Sequence, residues 1–507
     1  MILPDLLRAS AARFPDKAAV TFPDGTALTF NWLDRDSDRV AARLARLGIG
    51  PGDRVGIISE NDPAALVYWW GIMKAGAQSV DLPAQAGQAT LDGVIEEARP
   101  KALCVQSKLF SKIAIRPGTI LLTTDDAEVS ASLYDVHHLE NIVGDPTSVV
   151  PSLSRVSEDD VAMIVYTSGT TGRPKGVMLS HRNLYSNISA ANELVGLTSD
   201  DSILLVVPFY FIHGRMQLLT HAMIAGTLHV SAGFQFPSTV LDELVKRAVT
   251  GFSGVPYHFL TLMERTKLRS TPLPALKYVL ITGGALSPSA LTELQAMIPS
   301  TGLHTAYGQT EASPRITWLG PLDMFRKLGS AGIVLPGVTV EITGGDGTAV
   351  PAGEVGEVMA SGPNIMKGYV SGDEKTSGRI DASGRLATGD LGRFDAEGFL
   401  HLVGRSSDMI KTAGERVFPK EIEDVVASHP AVLENAVIGV RDALLGEKVV
   451  ALVVLREGCT LSVKELREHC VKSMPFVRAP REVRVVASFP KTASGKINRS
   501  ELQALAQ

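Results

Sequence analysis

Residues 166–177 read Tyr-Thr-Ser-Gly-Thr-Thr-Gly-Arg-Pro-Lys-Gly-Val and follow an apolar run at 161–165, yet they hold almost nothing to bury. Gly169 and Gly172 let the backbone approach a ligand closely and turn several N–H groups the same way. Thr167, Ser168, Thr170 and Thr171 add hydroxyl donors, and Lys175 adds a point charge. Donors of this kind suit a phosphate. The spacing does not match the P-loop pattern G-x-x-x-x-G-K-[ST], so on its own the stretch reads either as a different phosphate cradle or as a Gly/Thr-rich surface loop.

A cradle needs rigid elements behind it, and the chain supplies short apolar runs separated by helical patterns. Residues 54–58 precede a helix-like stretch at 64–75 that stops at Gly76, and the runs at 102–105, 203–207, 227–230 and 278–281 repeat the theme. Short buried strands between helices predict parallel α/β sheets. From about Val338 the texture changes to alternating residues with Gly-rich corners (338–342, 356–359), a small antiparallel β unit. Beyond Arg405 come a helix at 419–428, strands at 432–440 and 448–455, a helix at 462–472 and a strand at 482–486. The fold class expected is therefore α/β. A large N-terminal domain (1–405, with a β subdomain at about 330–405) would carry a small α+β C-terminal domain (406–507), with Arg405-Ser406-Ser407 as the hinge candidate.

Bulk properties narrow the function classes. The 507 residues make roughly three domain-sized units. Hydrophobic residues are 45% and charged residues 20%, a globular balance, and 49 Lys+Arg against 54 Asp+Glu leave a formal net charge of −5 with no basic run, so no nucleic-acid partner is expected. Cys104, Cys459 and Cys470 match neither a metal spacing nor a disulfide framework, which fits a cytoplasmic location. The opening apolar stretch contains Asp5 and Arg8 and reads as an amphipathic helix, not as a signal peptide. The longest apolar run, 203–212, ends at His213 and Arg215 and is too short for a transmembrane segment.

Further motifs follow the loop in a fixed order: Tyr307-Gly308-Gln309-Thr310-Glu311, Thr388-Gly389-Asp390, Gly404-Arg405-Ser406-Ser407-Asp408-Met409-Ile410-Lys411 continuing to Gly414-Glu415-Arg416, and Pro490-Lys491-Thr492-Ala493-Ser494-Gly495-Lys496-Ile497. With the loop, this ordered set resembles the adenylate-forming enzymes, a superfamily of acyl-CoA and aryl-CoA synthetases, peptide-synthetase adenylation domains and firefly-type luciferases. The resemblance implies a ligase that activates a carboxylic acid with ATP and Mg²⁺ to an acyl-adenylate, releasing pyrophosphate, and then passes the acyl group to a thiol.

The resemblance also implies roles. Thr167, Ser168, Gly169, Thr170, Thr171, Gly172 and Lys175 would hold the phosphates, with Glu311 and Thr170 at the Mg²⁺ ion; hard oxygen donors suit that metal. Thr310 would contact the α-phosphate. Tyr307 would offer a flat face to adenine, between Ala306, Gly308 and Gln309, with Gly283, Gly284 and Ala285 as the opposing wall. Asp390 would accept from the ribose hydroxyls, supported by Arg405. Lys496 would neutralise the carboxylate and α-phosphate oxygens. Unit charges at roughly 4 Å attract by about 1 kcal/mol in water and about 4 kcal/mol at an effective dielectric of about 20, so Lys496 helps only when the C-terminal domain closes over it. In a second pose that mobile domain would present Lys411, Gly414 and Arg416 to a pantetheine arm. The pivot, commonly Asp or Lys in the family, is Ser407 here, a departure that bears on the rate of rotation.

The acid pocket is less legible. Pro208-Phe209-Tyr210-Phe211-Ile212-His213-Gly214 stands where the family often has P-x-F-H-x-x-G. Phe209, Tyr210, Phe211, His213, Tyr257, Gly283 and Gly308 suggest an apolar or aromatic-lined pocket, with His213 either in its wall or in core packing. Neither Tyr210 nor Phe211 can pair with a buried ammonium, so an α-amino acid is disfavoured. The acceptor would be CoA, with Arg215, Lys411 and Arg441 as candidate cations for its phosphates, or the phosphopantetheine of a carrier protein acting in trans. The remaining alternative, a non-catalytic nucleotide-binding regulator, sits badly with Glu311, Asp390, Arg405 and Lys496 all being present.

Overall fold

The computed structural model describes residues 1–113, 115, 119–124, 135–143, 156–167, 174–372, 378–492 and 495–506. The apolar run ahead of the Gly/Thr loop forms the strand Val161–Thr167, which pairs in parallel with Gln78–Leu82 and in antiparallel fashion with Lys175–Ser180. Among the described residues these belong to an eight-stranded sheet whose interior also holds Arg54–Ile58 and Ala102–Val105. A nine-stranded sheet runs parallel through Ala18–Thr21, Thr227–Val230, Ser202–Leu205, Gly251–Gly254, Tyr278–Thr282 and Gly302–Tyr307. Both are the expected parallel α/β sheets, the nine-stranded one antiparallel at both edges and the eight-stranded one at a single edge.

Periodicity explains what lies between them. One core joins Val55 and Ile57 of the first sheet to Ile203 and Leu205 of the second through Val40, Trp69, Leu184 and Met216, which come from the helices Phe30–Arg46, Pro63–Lys74, His181–Val195 and Ile212–Ile224. Side-chain caps start three of these helices: Thr29 accepts from the N–H group of Trp32, Asp62 accepts from the N–H groups of Ala64 and Ala65, and Ser180 and Asn183 form a capping box. The opening amphipathic pattern is the helix Leu3–Arg13. None of the helices among the described residues is long and apolar enough to cross a membrane.

The Gly-cornered segment is a four-stranded antiparallel sheet of Thr339–Thr343, Gly356–Ser361, Leu386–Phe394 and Leu400–Arg405. Local pattern gave no sign that the two-residue strand Gly368–Tyr369 leaves this region to join the edge strand Lys175–Ser180 of the first sheet. After the 3-10 turn Ser406–Asp408, the chain builds a smaller unit. Val432–Asp442 and Gly446–Leu455 pair in antiparallel fashion, Glu482–Val485 adds in parallel, and a separate core of Ile410, Val417, Ile422, Val437, Val449 and Leu466 holds it together.

Candidate active site

The C-terminal ends of the parallel strands open onto one cleft. Tyr278–Thr282 delivers Gly283, Gly284 and Ala285, all exposed, and Gly302–Tyr307 delivers Tyr307 and Gly308. Gly308 has no room for a side chain, because a Cβ there would lie 1.9 Å from the Pro314 carbonyl oxygen. The 3-10 turn Thr310–Ala312 then places Glu311. Its carboxylate is 8% exposed and accepts a 2.7 Å hydrogen bond from the Tyr369 hydroxyl. Lys175 Nζ lies 5.6 Å from the centre of the Tyr369 ring, so the short strand Gly368–Tyr369 ties the loop's far end to Glu311. Thr167 pairs with Lys175 at the mouth of the hairpin. Ser168, Gly169, Thr170, Thr171 and Gly172 lie outside the described residues.

Asp390 and Arg405 meet across the strands Leu386–Phe394 and Leu400–Arg405, where they are register partners. Asp390 accepts from the Tyr307 hydroxyl at 2.8 Å and from Arg405 Nε at 3.2 Å. Gln309 Nε2 approaches the Thr388 carbonyl at 3.5 Å, and the Thr388 hydroxyl accepts from Asp390 N–H at 3.1 Å. Burial and the Asp390 charge push the Tyr307 hydroxyl well above the usual phenol range, so it acts here as a donor.

Lys496 reaches this cleft from the C-terminal unit. A Cβ on Gly283 would sit 2.9 Å from Lys496 Cε and 3.5 Å from its Nζ, so glycine here makes room for the lysine. Lys496 as a residue is exposed, yet protein atoms crowd the surroundings of its ammonium. Loss of surrounding water lowers its pKa from 10.5, and Arg405 lowers it further, against the opposing pull of Asp390 and Glu311. The same loop docks Gly495 onto Val255 and Lys491 Nζ 3.6 Å from the centre of the Tyr257 ring. A second docking point lies outside the cleft. Arg456 pairs with Glu264 and, at 3.2 Å, with Glu293, both from the large domain, and the Ser289 hydroxyl donates to the Ala427 carbonyl at 3.3 Å.

The expected acid-pocket residues separate into two groups. Tyr210 and Phe211 stack at 4.4 Å, and His213 Nε2 shares a 2.7 Å hydrogen bond with Ser253. Enclosure and the nearby Arg315, His258 and Lys496 lower the His213 pKa to about 3, so the ring is neutral. Phe209, by contrast, packs in the main core, its ring 5.5 Å from Arg215. Arg215 is 2% exposed and bound to Asp81 by two 2.8 Å hydrogen bonds, which removes it from the candidate CoA cations. Lys411, Gly414 and Arg416 are not brought to Gly283. They sit on the hairpin Ile410–Thr412 and Glu415–Val417, where Lys411 N–H donates to Glu447 at 2.7 Å. Lys411 and Arg441 both line an open groove of ≈ 790 Å³ beside Ser406 and Ser407. The Ser407 hydroxyl bonds the neighbouring Asp408 carboxylate at 2.9 Å.

Tyr369, Ser253 and Arg456 carry no motif, and sequence reasoning missed them. Only spatial pairing across long sequence separations reveals them. Among the described residues no cluster of three or more His, Cys, Asp or Glu could form a resident metal centre. A single carboxylate such as Glu311 does fit Mg²⁺ that arrives with nucleotide phosphates, since that ion is held by one or two carboxylates plus phosphate oxygens.

Comparison with known proteins bears on these geometries. The family model described as "AMP-binding enzyme" matches residues 7–370, and that described as "AMP-binding enzyme C-terminal domain" matches residues 421–496. A feruloyl-CoA synthase from Amycolatopsis sp is 32% identical, covering 97% of this chain and 96% of that protein. An oxalate–CoA ligase from Arabidopsis thaliana is 31% identical, covering 98% of this chain and 97% of that protein. The o-succinylbenzoate CoA synthetase (MenE) of Bacillus subtilis, solved with an acyl-adenylate intermediate, superposes with a TM-score of 0.83 at 28% identity, covering 99% of this chain and 98% of that one. A structure of the same enzyme with ATP and a magnesium ion gives 0.80 at 28% identity, covering 98% of this chain and 99% of that one.

Proposed function

Because the chain belongs to the AMP-binding enzyme family and is an AMP-forming ligase, we propose that it joins a carboxylic acid to the α-phosphate of ATP and passes the acyl group from that adenylate to the thiol of CoA. One observation carries the reading: Lys496 lies against Gly283, with Asp390, Arg405 and Glu311 within electrostatic reach. This is where a cation serves the first half-reaction. The acid's carboxylate oxygen attacks the α-phosphorus, the bond to the β-phosphate oxygen breaks, and pyrophosphate leaves. Lys496 balances charge gathering between two anions, in a cleft where screening by water is reduced. Asp390 and Arg405 fix the ribose, Tyr307 and Gly308 flank the base, and Glu311 would hold the Mg²⁺ that arrives with the nucleotide and offsets its phosphate charge. Thr167 and Lys175 anchor the ends of the phosphate loop.

In the second half-reaction the thiol sulfur attacks the acyl carbonyl, AMP leaves and the thiol proton passes to solvent. Residues 406–507 rotate about the 406–408 turn, withdrawing Lys496 and bringing up the hairpin with Lys411, Gly414 and Arg416. The two curated relatives are CoA enzymes by name, which favours CoA over the phosphopantetheine of a carrier protein. The reading is tested by incubating the protein with ATP, Mg²⁺, CoA and a panel of acids and looking for acyl-CoA by mass. No acyl-CoA with any acid would count against it.

Two consequences follow from the docked pose. Arg456→Glu sets three carboxylates against one another where an ion-paired cluster stood, so adenylation is expected to slow by roughly 10-fold while thioester formation from supplied acyl-adenylate keeps its rate. Equal slowing of both would show that the contact does not select a pose. The alkaline limb of kcat/KM for adenylation should fall below the ordinary lysine value of 10.5, because Lys496 with a lowered pKa loses its proton earlier as pH rises. Lys496→Arg should move that limb upward, and an unmoved limb would assign it to another group.

A further inference from the structure

Two arginines of the large domain are buried, and they are treated differently. Arg215 has its carboxylate, Asp81. Arg315 is 6% exposed and, among the described residues, has no carboxylate within ion-pair distance. Its recorded side-chain hydrogen bond runs from Nη1 to the Asn187 side-chain oxygen at 3.3 Å, a neutral acceptor, and Trp318 lies 5.9 Å from its guanidinium carbon. A buried guanidinium without a counter-charge is costly, and it is tolerated where an anion completes it.

Its backbone is fixed. Asn187 and Asn364 both donate to the Arg315 carbonyl, at 2.8 and 3.1 Å, and to the Ala312 carbonyl, which pins the backbone directly after Glu311. The side chain bonds Asn187 on the helix His181–Val195 and is within electrostatic reach of His213 on the helix Ile212–Ile224 and of Tyr278 on the strand Tyr278–Thr282. His213 is within electrostatic reach of both Arg315 and Lys496. Tyr278 is within electrostatic reach of Arg315 and has a buried hydroxyl with no hydrogen-bond partner. Burial lowers the Arg315 pKa to about 10, as expected for a cation held away from water without an anion.

Resting on the ligase reading above, we propose that Arg315, aided by the Tyr278 hydroxyl, binds a second carboxylate of the substrate, so that the acid activated is a dicarboxylic acid. One carboxylate meets Lys496 and the α-phosphate. The other lies past His213 against Arg315, whose planar fork suits a carboxylate. Neutral His213 lets the acid pass without trapping it at an intermediate charge.

The test measures pyrophosphate release for monocarboxylic and dicarboxylic acids matched in carbon number. In the native protein, kcat/KM for the best dicarboxylic acid should exceed that of its monocarboxylic partner by on the order of 100-fold, well inside the roughly 10⁴-fold discrimination open to a site built around a polar group of its substrate. Arg315→Met should reduce that ratio on the order of 100-fold, and Arg315→Lys should reduce it less. A native preference for the monocarboxylic partners overturns the proposal without any variant, as does a ratio unchanged in Arg315→Met. Failure of every acid to elicit release overturns the ligase reading, and this proposal with it, whereas release confined to monocarboxylic acids overturns this proposal alone.

Discussion

Lys496→Ala is expected to lower acid-dependent adenylate formation by on the order of 10³-fold while leaving thioester formation from preformed acyl-adenylate within a few-fold of the native rate. The asymmetry comes from geometry. Lys496 sits against Gly283 in the pose that joins acid and nucleotide, and its loop is held there by Gly495 on Val255 and Lys491 on Tyr257. On the proposed alternation, the smaller unit moves once the adenylate exists so that a thiol can enter, and the lysine leaves with it. Alanine removes the charge and keeps the loop's backbone. Supplying synthetic acyl-adenylate with CoA isolates the second half-reaction, and equal losses in both halves would contradict domain alternation in this protein.

Glu311→Gln should cost on the order of 100-fold in kcat/KM for ATP and shift the Mg²⁺ requirement to higher concentration. The change is close to isosteric: the Gln side-chain oxygen can still accept from Tyr369, which now gives 2.7 Å to the carboxylate, so the local fold is kept and only the charge is lost. Mg²⁺ prefers hard anionic oxygens and is held by few protein ligands, so one missing charge weighs heavily. A Mg²⁺ titration that superposes on that of the native protein would remove Glu311 from the metal's coordination.

The alternation of apolar runs and helices was legible because buried parallel strands and amphipathic helices leave local signatures. The strands at 54–58, 102–105 and 278–281, the opening helix and the α+β order beyond Arg405 all appear where the pattern puts them. Glu311, Asp390, Arg405 and Lys496 were legible through their motifs, and the structure gathers them around one cleft. What escaped was long-range pairing. Arg456 looks like a solvated cation until the fold sets it against Glu264 and Glu293. Phe209 and Arg215 resembled pocket and rim residues, but Asp81, on a strand of the other sheet, draws Arg215 into the core and Phe209 with it. Arg315 stands four residues beyond Glu311 with no motif of its own, and only burial without a carboxylate partner marks it out.

The central claim is that this cleft forms an acyl-adenylate, and the most direct measurement is exchange of radiolabelled pyrophosphate into ATP with no thiol present. Reversible adenylate formation predicts exchange that requires an acid from the panel, is lost in Lys496→Ala, and needs no CoA. Absence of acid-dependent exchange across mono- and dicarboxylic, aliphatic and aromatic acids, by a folded protein supplied with Mg²⁺ and ATP, would contradict the account.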